Sequence, residues 1–150
     1  MKRILSLLLC SVAAVAAAGC LGFERKSTVT GPTSGVGALL GSWTSSDVIP
    51  SPASCTDFKW NATEQTTNSA RGAFSATCAN NLKLSGTAEG TLSGSIVNWS
   101  AQGTGTAADL GSCGFSLTGT AELGVDSIRV PYSGDTCAGR VSGVEILRKR

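Results

Sequence analysis

An antiparallel up-and-down β-barrel of about eight strands is the fold this sequence predicts, with a β-sandwich as the rival architecture. Three observations point there. Apolar residues recur with a period of two from Leu39 onward, no stretch beyond Cys20 carries a helical period, and several connections are short and built on Gly or Ser. A strand with one apolar and one polar face buries half of its side chains and leaves the rest in water, which favours antiparallel pairing.

The first strand is expected over residues 40–46 and the second over 55–63, where Phe58, Trp60 and Ala62 share one face and Asp57, Lys59 and Asn61 the other. A third covers 70–78. The fourth, 82–92, sets Leu84, Gly86, Ala88, Gly90 and Leu92 against Lys83, Ser85, Thr87 and Glu89. The fifth runs over 96–106 after Ser93, Gly94 and Ser95, a tight connection of the kind hairpins need. In the sixth, 113–123, Phe115, Leu117, Gly119, Ala121 and Leu123 oppose Ser116, Thr118, Thr120 and Glu122. Gly124 leads to a seventh over 126–133, and an eighth covers 140–148. The Cys and Trp spacing of immunoglobulin domains is absent.

Residues 1–19 read as a secretory signal: Lys2 and Arg3, an apolar run from Ile4 to Val15, then small residues. The run is too short to span a bilayer, which takes about 20 apolar residues. Ala17-Ala18-Gly19-Cys20 resembles the lipobox of bacterial lipoproteins, with Ala17 where that pattern usually has Leu; Ala16-Ala17-Ala18 also suits ordinary signal-peptidase cleavage. The resemblance implies lipidation of Cys20, enough acyl chains for stable membrane attachment, and, because Leu21 rather than Asp follows, sorting to the outer membrane. Residues 20–38 are then lipidated Cys and tether, spanning about 25 Å as a flexible coil, and 39–150 form the domain.

Loss of the signal takes Lys2 and Arg3 from the 12 Lys+Arg, leaving 10 against 10 Asp+Glu, so no basic nucleic-acid footprint survives. Of the six Cys, setting aside Cys10 and Cys20 leaves Cys55, Cys78, Cys113 and Cys137. An even number in an exported domain reads as disulfides, and the spacing is not that of a zinc site. In a meander all four fall at one end of the barrel, and Cys55 with Cys78 and Cys113 with Cys137 are the expected pairs. Parity adds a condition: alternation puts Cys55 on the polar face and Cys78 on the apolar one, so the first pair needs a bulge or a frayed strand end.

The connections expected to be longest, residues 47–54 and 107–112, lie on this cysteine rim, and the chain would enter at the opposite, tight-turn end. The lipid would thus hold the tight-turn end towards the membrane. Asp47, Asp109 and Asp135 fall in the expected rim loops, where a carboxylate could bind a cation or a sugar hydroxyl, although Asp is also an ordinary turn residue.

The chain has no His, which removes the commonest general base and the Ser-His-Asp and Cys-His systems. Asp57, Glu89 and Glu122 alternate outward instead of facing one another across a cleft. No catalytic residue, metal or cofactor is expected. Gly41-Ser42-Trp43 resembles the G-x-W motif of calycins, the superfamily of lipocalins and avidins. The resemblance implies that Gly41 and Trp43 close one end of the barrel under a cation from the last strand, Arg148 or Arg150. Two functions follow. In one, the interior is filled and the protein is a structural or protein-interaction module of the cell envelope. In the other, Phe58, Trp60, Phe74, Trp99 and Phe115 line a site for a small apolar or amphipathic ligand. A cavity above about 300 Å³ opening at the cysteine rim separates the two.

Overall fold

The computed structural model describes residues 35–45 and 53–150. Eight antiparallel strands follow one another around a closed barrel, so the sandwich is excluded. They are β1 (Gly41–Ser45), β2 (Cys55–Gln65), β3 (Ser69–Cys78), β4 (Leu82–Ser93), β5 (Ile96–Ala107), β6 (Gly111–Leu123), β7 (Ser127–Thr136) and β8 (Gly139–Lys149). Alternation fixes the inside. Leu84, Ala88, Val97, Ala101, Phe115, Leu117, Ala121, Ile128 and Val130 are all buried, while their strand neighbours Lys83, Glu89, Asn98, Gln102, Ser116, Thr118 and Arg129 are exposed. An apolar interior within a polar wall reverses the pattern of a membrane-spanning barrel.

Two-residue periodicity alone does not bend a sheet into so small a cylinder. Glycine does part of that. A Cβ at Gly86 would run into the carbonyl oxygen of Gln102 on β5, and one at Gly119 into that of Pro131 on β7, so neighbouring backbones come closer at these inward positions than any side chain permits.

Of the two ways to satisfy cysteine parity, a bulge or a frayed strand end, the structure takes the bulge. Between Thr56↔Thr77 and Lys59↔Ser75 the β2–β3 register shifts, and Asp57 adopts φ 53°. The extra residue turns Cys55 inward to face Cys78, and both are almost wholly buried. Cys55–Cys78 and Cys113–Cys137 are the two disulfides, as the meander predicts.

Three expectations need correction. Residues 35–38, read as tether, belong to a 3₁₀ turn, Gly35–Leu39, whose Leu39 is fully buried. The β5–β6 connection is only residues 108–110, because Gly111 at φ 67° turns the chain while Ala107 still pairs with it. Asp135 lies in β7, opposite Ser116 and Arg140, because that strand continues to Thr136.

Candidate functional site

Three regions hold the candidate residues: the interior, the closed end and the cysteine rim. In the interior, Phe58, Trp60, Phe74 and Phe115 are buried and Trp99 is half-buried. They meet one another rather than surrounding a space. Phe58 contacts Phe74 edge-on at 5.4 Å and Tyr132 at 5.0 Å, and Phe74 contacts Phe115 at 6.1 Å. The indoles are anchored across the barrel. Trp60 Nε1 donates to the Ala88 carbonyl at 3.2 Å and Trp99 Nε1 to the Pro131 carbonyl at 3.2 Å, which pins each ring over a strand other than its own. What remains among them is a cavity of about 30 Å³, bounded by Phe58, Trp60, Phe74 and Trp99 with Val97 and Ile128. That volume suits a water molecule, not a ligand of lipid or cofactor size.

At the closed end, Trp43 is buried and its Nε1 donates to the Leu39 carbonyl at 2.8 Å. The cation over its ring is Lys149, with Nζ 5.2 Å from the ring centroid and donating to the Ala38 carbonyl at 3.0 Å. Arg148 does not fill that role. Val141, Glu145 and Leu147 set the inward phase of β8, so Lys149 shares it, whereas Arg148 stands exposed between Thr44 and Ser127. Arg150 likewise stays outside, its Nε donating to Thr44 Oγ1 at 3.0 Å. Gly41, at φ 111°, has the Lys149 side chain over the place a Cβ would take.

The cysteine rim contains a polar arrangement that alternation did not bring out. The Tyr132 hydroxyl accepts from the Cys55 N–H at 2.6 Å and donates to the Cys55 carbonyl at 2.7 Å, tying β7 to the start of β2 through the interior. Burial pushes this hydroxyl above the usual tyrosine value, against the hydrogen bond to Cys55 that lowers it, and the charge of Glu145 adds to the rise. Ser45, Thr56 and Glu145 are also buried, and Ser45 Oγ accepts from the Phe58 N–H at 2.9 Å. The signal for Tyr132 and Glu145 was available in the sequence: both fall on the apolar phase of their strands, beside Val130 and Leu147.

Two of the three rim aspartates are described, and neither joins a cluster of acids. Asp109 is exposed in the β5–β6 turn, Asp135 is exposed on β7, and Asp47, like the lipidation candidate Cys20, lies outside the described residues. Asp135 borders a depression of about 410 Å³ at the cysteine rim with Gly114, Phe115, Ser116, Thr136 and Cys137, but it lies open to solvent and encloses no interior space. Among the described residues no cluster of Cys, Asp or Glu is arranged to hold a metal ion.

The outer wall has one distinctive sector. Asn98, Ser100, Gln102, Thr104 and Thr106 of β5 stand opposite Thr120, Thr118, Ser116, Gly114 and Ser112 of β6, all exposed and none charged. The Thr120 hydroxyl donates to Asn98 Oδ1 at 3.2 Å, while most of the array faces solvent. Compared with known proteins, the chain matches no family model, no characterised protein and no solved structure.

Proposed function

We propose that this protein is a lipid-anchored lipoprotein of the bacterial envelope, sorted to the outer membrane, whose barrel acts without catalysis as a structural or protein-contact module. The observation that carries the reading is the filled interior. The cavity of about 30 Å³ among the interlocked aromatics has no room for a small apolar ligand, which favours contact by the outer surface. The lack of His and the outward scatter of the carboxylates support the non-catalytic part. Ala17-Ala18-Gly19-Cys20 supports the anchor.

The uncharged β5–β6 sector is the contact surface of choice. Hydroxyl and amide groups give up less hydration energy than charges when covered, and each both donates and accepts hydrogen bonds. The test has two parts. Intact mass of the purified protein is expected to show acyl chains on Cys20, and Cys20→Ser is expected to release a folded, soluble protein. Native mass spectrometry of material taken from its own envelope is expected to show no retained small molecule. A small molecule bound one to one, or membrane retention of Cys20→Ser without detergent, overturns the corresponding part. A photo-crosslinking residue at Gln102 is expected to capture a partner that the same group at Ser142, exposed on β8, does not.

A further inference from the structure

The two ends of the barrel expose different side chains. Five large apolar side chains are exposed among the described residues, and only Leu110 belongs to the cysteine rim. Val125 is fully exposed at the tip of the β6–β7 turn, Ile96 opens β5 just after the β4–β5 turn, Ile146 lies on the outer side of β8 near its end, and Val144 lies further along that face towards the middle of the strand. The first three are at or near the tight-turn end, where the chain passes through the 3₁₀ turn into β1. Charge follows the same asymmetry. On the β7, β8 and β1 side of this end stand four exposed cations, Arg129, Arg148, Lys149 and Arg150, against two acids, Glu122 and Asp126. Glu122 is directly opposite Arg129, and Arg148 is opposite Ser127 and Thr44, so the register sets no acid across from it.

We propose that this end, with Val125 and Ile146 among the cations that close β8, is a contact surface for an anionic lipid bilayer. Exposed apolar tips beside arginines are the arrangement that settles into the headgroup region, where the side chain leaves water and the guanidinium meets phosphate. Protein phosphorylation sites or nucleic acid would not explain the bare valine tip. The contact goes beyond anchoring: the acyl chains hold the protein at the membrane, and this surface sets which way the barrel faces, leaving the cysteine rim and the uncharged sector open to partners. It rests on the anchoring reading only in that the anchor brings this end to a bilayer.

The test uses the exported chain carrying Cys20→Ser, so that no acyl chain contributes, sedimented with vesicles of phosphatidylcholine alone or mixed with phosphatidylglycerol. Binding is expected to the mixed vesicles only and to fall as salt is raised. Arg148→Gln and Arg150→Gln are each expected to weaken it about fivefold. Val125→Ser is expected to weaken it as well, whereas Arg140→Gln, at the opposite rim, leaves it unchanged; near-ultraviolet circular dichroism checks that every variant is folded. No preference for anionic vesicles, or an equal loss from Arg140→Gln and Arg148→Gln, overturns the proposal. Failure of the anchor is read separately, from the mass of Cys20 in the unmodified protein.

Discussion

The barrel is closed by packing at one end and by covalent bonds at the other. At the tight-turn end β1 lies between β2 and β8, paired with β8 from Trp43 to Ser45, and Trp43 and Leu39 fill the opening. At the other end the Ser142 N–H donates to the Ala53 carbonyl at 3.0 Å, joining β8 to the residues that lead into β2. This is the end that carries both disulfides and the Tyr132 clamp on Cys55. The difference teaches that the staples sit at the strand ends away from the Trp43 plug, Cys55–Cys78 across the terminal pair of the β2–β3 ladder and Cys113–Cys137 beyond Ser116↔Asp135, the last pair of β6 and β7. A ladder bond adds little net stability by itself, but a missing one leaves strand ends free to fray.

The disulfides allow that idea to be broken most decisively. Their half-cystines are separated by 23 and 24 residues, so each restrains the unfolded chain by nearly the same amount, about 3 kcal/mol. Cys55 and Cys78 are also buried against the core, whereas Cys113 and Cys137 are partly exposed. Replacing Cys55 and Cys78 together by Ala is therefore expected to cost about 5 kcal/mol, and replacing Cys113 and Cys137 about 3 kcal/mol. Urea denaturation of the two double variants checks it, and equal losses would remove the special status of the β2 start. The same difference predicts that a mild dithiol reductant opens Cys113–Cys137 first, readable by mass after alkylation.

Packing at the other end gives the next largest effect. Trp43→Ala leaves a cavity under Leu39 and frees the Lys149 ammonium from its ring, at an expected cost of about 4 kcal/mol. If the urea midpoint falls by less than that of the Cys113 and Cys137 double variant, the end is held chiefly by its turns.

Much of this was legible in the sequence, for a definite reason. A period of two assigns every side chain of a regular strand to one side of the wall, which is why the barrel and the buried faces could be read from alternation, and why Cys55 and Cys78 called for a bulge or a frayed end before Phe58. What lay beyond reach joins strands distant in sequence. Trp60 donates to Ala88, and Tyr132 grips Cys55 over a separation of 77 residues; local alternation carries no trace of either. How full the interior is depends on those cross-barrel bonds and on the backbone approaches at Gly86 and Gly119. Asp135 was misread because β7 continues to Thr136 and takes the residue into the wall, while Asp109 does lie in the β5–β6 turn.

Tyr132→Phe probes the clamp at the cysteine end. It removes the acceptor of the buried Cys55 N–H and the donor to its carbonyl, at an expected cost of about 2 kcal/mol. A pH dependence goes with it. Burial raises the folded-state value of this hydroxyl above that of the unfolded chain, so the fold favours the neutral form. The contribution is fully present below the ordinary value of 10.0 and is lost as pH rises through the folded-state value. Tyr132 is the sole tyrosine, so its ionisation can be followed directly by absorbance, and Tyr132→Phe is expected to flatten the alkaline fall in stability.

The smallest effect is the sharpest test of strand phase at the closed end. Arg148, Lys149 and Arg150 follow one another, and the sequence reading offered Arg148 or Arg150 as the partner of Trp43. The inward run of Val141, Glu145 and Leu147 selects Lys149, and the register agrees, with Trp43 opposite Lys149 and Thr44 opposite Arg148. Lys149 remains solvent-exposed, so its ammonium over the indole is worth only about 0.5–1 kcal/mol. Lys149→Met keeps the chain length and removes the charge, and is expected to lose that amount. Arg148→Met is expected to change the urea midpoint by less than half as much, because its guanidinium lies on the outer face. The ranking is independent of the exact energies: an Arg148 loss equal to or larger than that of Lys149 would mean that β8 is offset by one residue, which would turn Leu147 out of the core and Ile146 into it.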